Sequence, residues 1–348
     1  MILEGLAYFI VFLAGFLLVR RMAPSFISRM HERNFTGKDM NKYKRPDVAE
    51  FGGFLIFIGF VFSAVTAIFI STYLGIIKVD LTLLVAGMST IIVINFIGLI
   101  DDLIGWKKGI RQWQHALFPI FAALPLMAVK VNNPSMYLPI IGYLPNEFLL
   151  PLFGLVSFGT LYSLILVPIG ITGASNATNM FAGLNGLEAG LGIIIFITLL
   201  PLALVNGRIE AAVICIAMLA ALIGFIKFNW FPAKIFGGDG LTLTVGAGIA
   251  VVSILGDMEK IGILMMALFF VELALKARTR FQSESFGKPD KEGLLRRPYK
   301  KIYSLTHWAM NRKRTEKQVV LRLLALQALV CIAVFLLSFF RVFLFLKV

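Results

Sequence analysis

The chain has 348 residues, 59% hydrophobic and 15% charged, with a mean hydropathy of +0.87. Soluble domains run about 45–50% apolar and about 25% charged, so the composition argues against a soluble enzyme and against a disordered chain. The formal charge of +14 points to nucleic acid in a soluble protein but to cytoplasmic loops in a membrane protein; where the charges sit decides between the two.

A membrane-crossing helix needs about 20 mostly apolar residues. Ten such runs are predicted, at 3–19, 54–74, 81–100, 113–130, 149–171, 187–205, 210–228, 240–256, 261–276 and 319–346. The expected fold class is an all-α integral membrane protein, one polytopic domain over 1–348. The first run has no basic segment before it and is followed by Arg20 and Arg21 rather than a small-residue cleavage site, so it reads as a retained helix. The fourth carries His115, Pro119 and Pro125. The tenth is long enough to tilt or to project beyond the bilayer. Cys215 and Cys331 fall inside apolar runs, and His31, His115 and His307 form no H-E-x-x-H pattern. Neither a disulfide framework nor a zinc hydrolase is expected.

Of the 33 Lys and Arg, 26 follow odd-numbered runs and six lie on the opposite side. Thirteen of the 26 fall in one basic loop segment, 276–318. This asymmetry predicts a multi-pass protein with both termini outside and the odd-numbered loops in the cytoplasm. The net charge then reflects topology, and no nucleic-acid partner is expected.

Five polar clusters stand out from the apolar background. All five lie in the loops assigned to the cytoplasm. The first is Gly37-Lys38-Asp39-Met40-Asn41-Lys42, followed by Glu50 beside Gly52 and Gly53 at the mouth of the second run. The second is Asp101-Asp102, ending the third run. Adjacent carboxylates beside hydrocarbon are costly and oppose the dipole of a helix C-terminus, so a cation, Lys107 and Lys108, or a substrate should compensate them. The third is Asn176 to Glu188, in which Asn176 and Asn179 share a helical face and Gly183 and Gly186 bracket Asn185. Its amides suit a hard cation, a nucleobase edge or a sugar amide. The fourth is Gly237-Gly238-Asp239-Gly240, either a helix cap or a phosphate-and-metal site at a helix start. The fifth holds Arg278 and Arg280, whose forks match phosphate oxygens. Together these describe a cytoplasmic pocket for a metal-bound phosphorylated substrate beside a lipid acceptor. The rival reading is a secondary transporter, to which broken helices and Glu272 would also suit. That reading expects repeat symmetry and polar residues near the midplane, whereas these clusters gather at one interface.

The run Asn176 to Glu188, NATNMFAGLNGLE, resembles the signature of the polyprenyl-phosphate N-acetylhexosamine-1-phosphate transferases, most closely the archaeal and eukaryotic dolichyl-phosphate type. Asp101-Asp102, GKDMNK with Glu50, and GGDG fall in that family's order. The resemblance implies transfer of N-acetylglucosamine 1-phosphate from UDP-GlcNAc to a polyprenyl (dolichyl) phosphate with release of UMP, as the first membrane step of glycan assembly. It implies Mg²⁺ (or Mn²⁺) on Asn179 and Asp239, a uracil contact at Asn185, and a nucleotide-side contact at Glu50. Lys38, Asn176 and Glu188 join the substrate-binding set. Arg278 and Arg280 would hold the donor's pyrophosphate and sugar, and Asp101 and Asp102 would stand near the lipid phosphate and metal. Ala182 stands where the bacterial branch has Asp, and His115 where relatives carry a lysine. The resemblance also implies a cell-membrane or ER-type membrane and is compatible with a homodimer.

Overall fold

The computed structural model describes residues 2–105, 112–129, 137–138, 142–143, 147–150 and 154–339. Lys107, Lys108 and Arg111, and the side chain of His115, lie outside the described residues. Helix α1 spans Ile2–Glu32 and leads into an antiparallel hairpin of β1 (Thr36–Lys38) and β2 (Asp47–Ala49). Helix α2 (Gly52–Phe69) runs on through a π-helical turn to Leu74, and α3 covers Leu81–Gly105. Next come α4 (Gln112–Ala122) and α5 (Leu124–Met127), then the strand pairs β3 (Tyr137–Leu138) with β4 (Gly142–Tyr143) and β5 (Glu147–Leu150) with β6 (Gly154–Ser157). Helix α6 (Phe158–Leu161) continues through a π-helical turn into α7 (Val167–Met180). Helices α8 (Leu187–Val205), α9 (Ile209–Asn229) and α10 (Gly238–Leu255) follow. After α11 (Glu259–Met265) and α12 (Ala267–Ala277), a loop segment folds with β7 (Lys288–Pro289), β8 (Leu294–Arg296), α13 (Leu305–Ala309) and β9 (Arg314–Thr315). There β8 pairs with both β7 and β9. Helix α14 is Glu316–Phe339.

Among the described residues, eight helical segments are uninterrupted and apolar enough to cross a membrane. The predicted fourth and ninth runs are each a pair of short helices instead. In the fourth, Pro119 lies inside α4 and Pro125 opens α5. Proline lacks the N–H and fixes φ, and the run breaks at Ala123. The ninth breaks at Met266, which joins α11 to α12 without a glycine or proline to mark it.

The fifth run starts later than 149–171. Its helix extends over Phe158–Met180, and the chain before it pairs as β5 and β6. An apolar stretch of this length suits a strand as well as a helix. The start is set by Ser157, whose hydroxyl accepts the Thr160 N–H over 3.2 Å as an N-cap. The shift moves Asn176 and Asn179 out of the expected loop and onto the last turns of α7.

Helices α9 and α10 form the centre. Every residue of α10 from Gly240 to Leu255 is buried, as befits a helix apolar on all sides and wrapped by neighbours. In a membrane the hydrophobic effect does not drive helices together, so close packing of small residues and interhelical hydrogen bonds do it. A Cβ on Gly53 would lie 2.6 Å from the Gly240 backbone, and one on Gly98 would lie 2.6 Å from the Asp239 carbonyl oxygen. Helices α2, α3 and α10 therefore touch backbone to backbone at one end. Asn95, buried within α3, ties the same three together. Its Nδ2 donates to Gly53 O (3.1 Å), Gly240 O (3.0 Å) and Thr244 Oγ1 (2.8 Å). Large apolar side chains stay exposed on the outer helices, among them Phe69, Phe96, Phe121, Ile169 and Leu329. That is the surface a lipid solvent requires.

Candidate active site

The three-helix contact fixes one wall of a cavity. Strand β2 ends with Ala49 in a parallel bridge to Ile235, and Phe236 N–H donates to Ala49 O over 2.8 Å. The chain then turns sharply at Phe51, a bulky residue with φ of 65°. Such a conformation costs about 1–3 kcal/mol and persists only where its surroundings hold it. The turn directs the first N–H groups of α2 onto the neighbouring loop: Gly52 donates to Phe236 O (2.9 Å) and Gly53 to Gly237 O (2.8 Å).

Asp102 caps the facing helix. Its two oxygens accept the backbone N–H groups of Asp239 (2.7 Å) and Gly240 (3.1 Å), the first turn of α10. A carboxylate at the end of its own helix is thereby placed on the positive end of another, which resolves the electrostatic problem posed by the sequence. The preceding Gly238 has φ of 67°, and a Cβ there would run into this carboxylate.

Asp101 takes a different direction. It is 5% exposed, and its side chain shares a hydrogen bond with Asp239, which is also hydrogen-bonded by Asn179. Thr178 holds the end of α7 against α10 by donating to Thr242 O over 2.7 Å. Lys276 reaches from α12 to the Met180 carbonyl, a cation at a helix C-terminus. Asp101, Asp239 and Asn179 so bring two carboxylates and an amide together from three helices. Two carboxylates in contact require a proton or a cation between them, and oxygen donors of this kind suit a hard divalent ion. Among the described residues no three His, Cys, Asp or Glu side chains gather closely enough to hold an ion by themselves.

Beside this cluster lies a cavity of about 330 Å³. Six of the residues expected to bind substrate or metal line it: Lys38, Glu50, Asn179, Asn185, Glu188 and Asp239. Glu50 is half-buried, and burial raises its carboxyl pKa above the ordinary range. Charged residues on the cavity wall are acidic at four positions (Asp39, Glu50, Glu188, Asp239) and basic at one, Lys38. That lysine is paired across the hairpin with Asp47 at 2.8 Å, and both side chains are exposed. An anionic ligand entering here meets an acidic wall and needs a cation to accompany it.

Other expected residues stand apart from the lining. Asn176 donates to Thr172 O one turn back in α7 (2.9 Å). Arg278 lies over the Tyr303 ring and makes a long contact with Ile302 O (3.4 Å), and Arg280 is exposed. Glu188 lines the cavity but binds its own loop, accepting the Gly183 N–H.

The structure adds residues that the sequence did not single out. Asn229, 2% exposed, lines the cavity and donates to Ile235 O (2.9 Å), and its buried Oδ1 has no hydrogen-bond partner. Phe236 and Phe286 supply aromatic lining. Behind Asn185, Glu316 is 1% exposed and pairs with Lys42. An acid opening an apolar run reads as an ordinary helix start, so Glu316 carried no signal of burial.

Residues 82–257 match the family described as Glycosyl transferase family 4. A relative from Sulfolobus acidocaldarius, named for UDP-N-acetylglucosamine–dolichyl-phosphate N-acetylglucosaminephosphotransferase, is 34% identical over 314 residues, covering 89% of each chain. One from Saccharolobus solfataricus with the same name is 33% identical over 87% of this chain and 88% of its own. A phospho-N-acetylmuramoyl-pentapeptide-transferase from Limosilactobacillus reuteri is 33% identical over 70% of this chain and 73% of its own.

Proposed function

This chain belongs to glycosyl transferase family 4, and from that premise we propose that it transfers N-acetylglucosamine 1-phosphate from UDP-GlcNAc to a dolichyl-type polyprenyl phosphate. An oxygen of the lipid phosphate attacks the sugar-bearing phosphorus of the donor. The bond from that phosphorus to the bridging oxygen breaks, and UMP leaves with the oxygen. The product is a polyprenyl diphosphate carrying the sugar. The observation that carries this reading is the acidic cavity beside Asp101, Asp239 and Asn179, at the ends of apolar helices.

Both reactants are anions, and the wall is acidic, so charge neutralisation is the central demand of the reaction. Mg²⁺ or Mn²⁺ would be held by Asp239 and Asn179 with Asp101, and when bound it supplies that neutralisation. Asn185, Glu50 and Asn229 orient the nucleotide within the cavity. Arg278 and Arg280 follow Lys276, which already touches the end of α7, and they approach the donor phosphates from outside the lining. Asp102 fixes the head of α10 and hence the position of Asp239. Asp101 orients the acceptor phosphate. The cytoplasmic orientation of the site is supported by the 26 of 33 cations on that side.

Purified protein with UDP-GlcNAc, dolichyl phosphate and Mg²⁺ is expected to release UMP. Absence of UMP with every UDP-N-acetylhexosamine tried overturns the proposal. A single direct displacement predicts no exchange of labelled UMP into UDP-GlcNAc without lipid. Such exchange would favour a covalent aspartyl intermediate.

A further inference from the structure

An asparagine amide can offer a ligand either an acceptor oxygen or an NH₂ donor. At Asn185 the choice is made by a neighbour. Asn185 Nδ2 donates to Asp39 Oδ2 over 3.0 Å. A carboxylate has only lone pairs to offer, so the NH₂ end must face it. Asp39 is 3% exposed and held from both sides: Lys42 Nζ lies 3.1 Å from Oδ2, and the Asn41 N–H donates to Oδ1 over 3.1 Å. The Lys42 ammonium is in turn paired with Glu316 and sits over the Phe231 ring. Glu316 Oε1 accepts the backbone N–H of Asn185 itself over 2.8 Å. Asn41 ties in the surrounding loops, donating to Gly183 O (2.7 Å) and accepting the Gly287 N–H (2.9 Å). The backbone and the NH₂ end of Asn185 are both fixed by this network. The side chain lines the cavity, and with one amide hydrogen held on Asp39 its oxygen is fixed in place as an acceptor for a ligand.

We propose that Asp39 is a positioning residue that sets the base selectivity of the cavity. By holding the Asn185 NH₂ it leaves an acceptor oxygen for the ligand. That oxygen matches the N–H at N3 of a uracil and opposes the lone pair at N3 of a cytosine. The inference rests on the reading of Asn185 as the base contact. Burial makes the discrimination large, because two opposed acceptors inside a cavity lose their water without gaining a partner.

The test is competition of UMP, CMP and 3-methyl-UMP against UDP-GlcNAc on the full-length protein in detergent. Wild type is expected to prefer UMP over the other two by at least about tenfold. In Asp39→Asn the new amide can donate back to Asn185, either orientation becomes available, and the UMP-to-CMP preference should fall several-fold. Glu316→Gln keeps Asp39, so it should weaken both nucleotides together and leave the preference in place. An unchanged preference in folded Asp39→Asn overturns the proposal. Asn185→Ser separates the two layers of the argument: if it abolishes the preference and Asp39→Asn does not, Asp39 alone loses its role. If Asn185→Ser leaves the preference intact, the base contact itself fails. Should Asp39→Asn not fold, equal binding of UMP and 3-methyl-UMP to wild type overturns the proposal.

Discussion

Asp101 and Asp102 are consecutive, yet they do different work. Asp102 spends both oxygens on the head of α10, whereas Asp101 meets Asp239 and, through it, Asn179. Substitution should separate the two. Asp239→Ala is expected to abolish turnover and leave thermal unfolding in detergent near wild type; full activity would remove Asp239 from the metal set. Asp102→Ala should lower stability by about 1–2 kcal/mol, the usual worth of a helix cap, and lower activity through displacement of α10. An unfolding midpoint equal to wild type would refute the capping role. Carboxylates and amides were legible in the sequence because they stand against an apolar background. The split between the capping Asp102 and the Asp101 that faces Asp239 was not, since it depends on which backbone N–H groups another helix brings to them.

At the scale of elements, the glycines where α2, α3 and α10 meet are contact points. Gly98→Val would push a side chain onto the Asp239 carbonyl, 2.6 Å from the ideal Cβ position. It is expected to reduce both activity and unfolding temperature, as overpacking does, and normal values for both would show that α3 and α10 can separate without consequence. The loop segment between α12 and α14 carries its own pH dependence. His307 is fully buried, with its ring between the Glu284 carbonyl and the Tyr303 N–H. Burial, chiefly, lowers its pKa below the ordinary 6.5, and Lys276 and Arg297 add to the effect. The unfolded segment therefore binds a proton at a pH where the folded one does not, and stability is complete above about pH 6.5 and falls as pH drops below it. Limited proteolysis of this segment should accelerate between pH 7 and pH 5 in wild type. His307→Gln should flatten that response, and an equal acceleration in both would exclude His307 as its source.

For the whole molecule, hydropathy and charge made the membrane class and most helices readable, because length and polarity alone decide whether a segment can cross. The fifth helix starts at 158 rather than 149, nine residues later than its apolar run, since the strand pair before it is also apolar. Orientation can be tested directly. A single cysteine at Arg45 should react with an impermeant thiol reagent only from the cytoplasmic side, and one at Lys78 only from the opposite side; the reverse pattern would invert the topology. The network behind Asn185 was invisible in the sequence for a related reason. Lys42 and Glu316 are 274 residues apart, and no local pattern reports a partner at that distance.

That separation also has a consequence in time. At an elongation rate of about 5–20 residues per second, roughly 15–55 s pass between synthesis of Lys42 and synthesis of its partner. Throughout that interval Lys42 lacks its Glu316 partner, and the Asn185 backbone N–H has no acceptor on that side. The network behind the cavity is thus completed late, after most of the helices around it have been made. A nascent chain released before residue 316 would carry most of the scaffold but would lack the acceptor that fixes the Asn185 backbone.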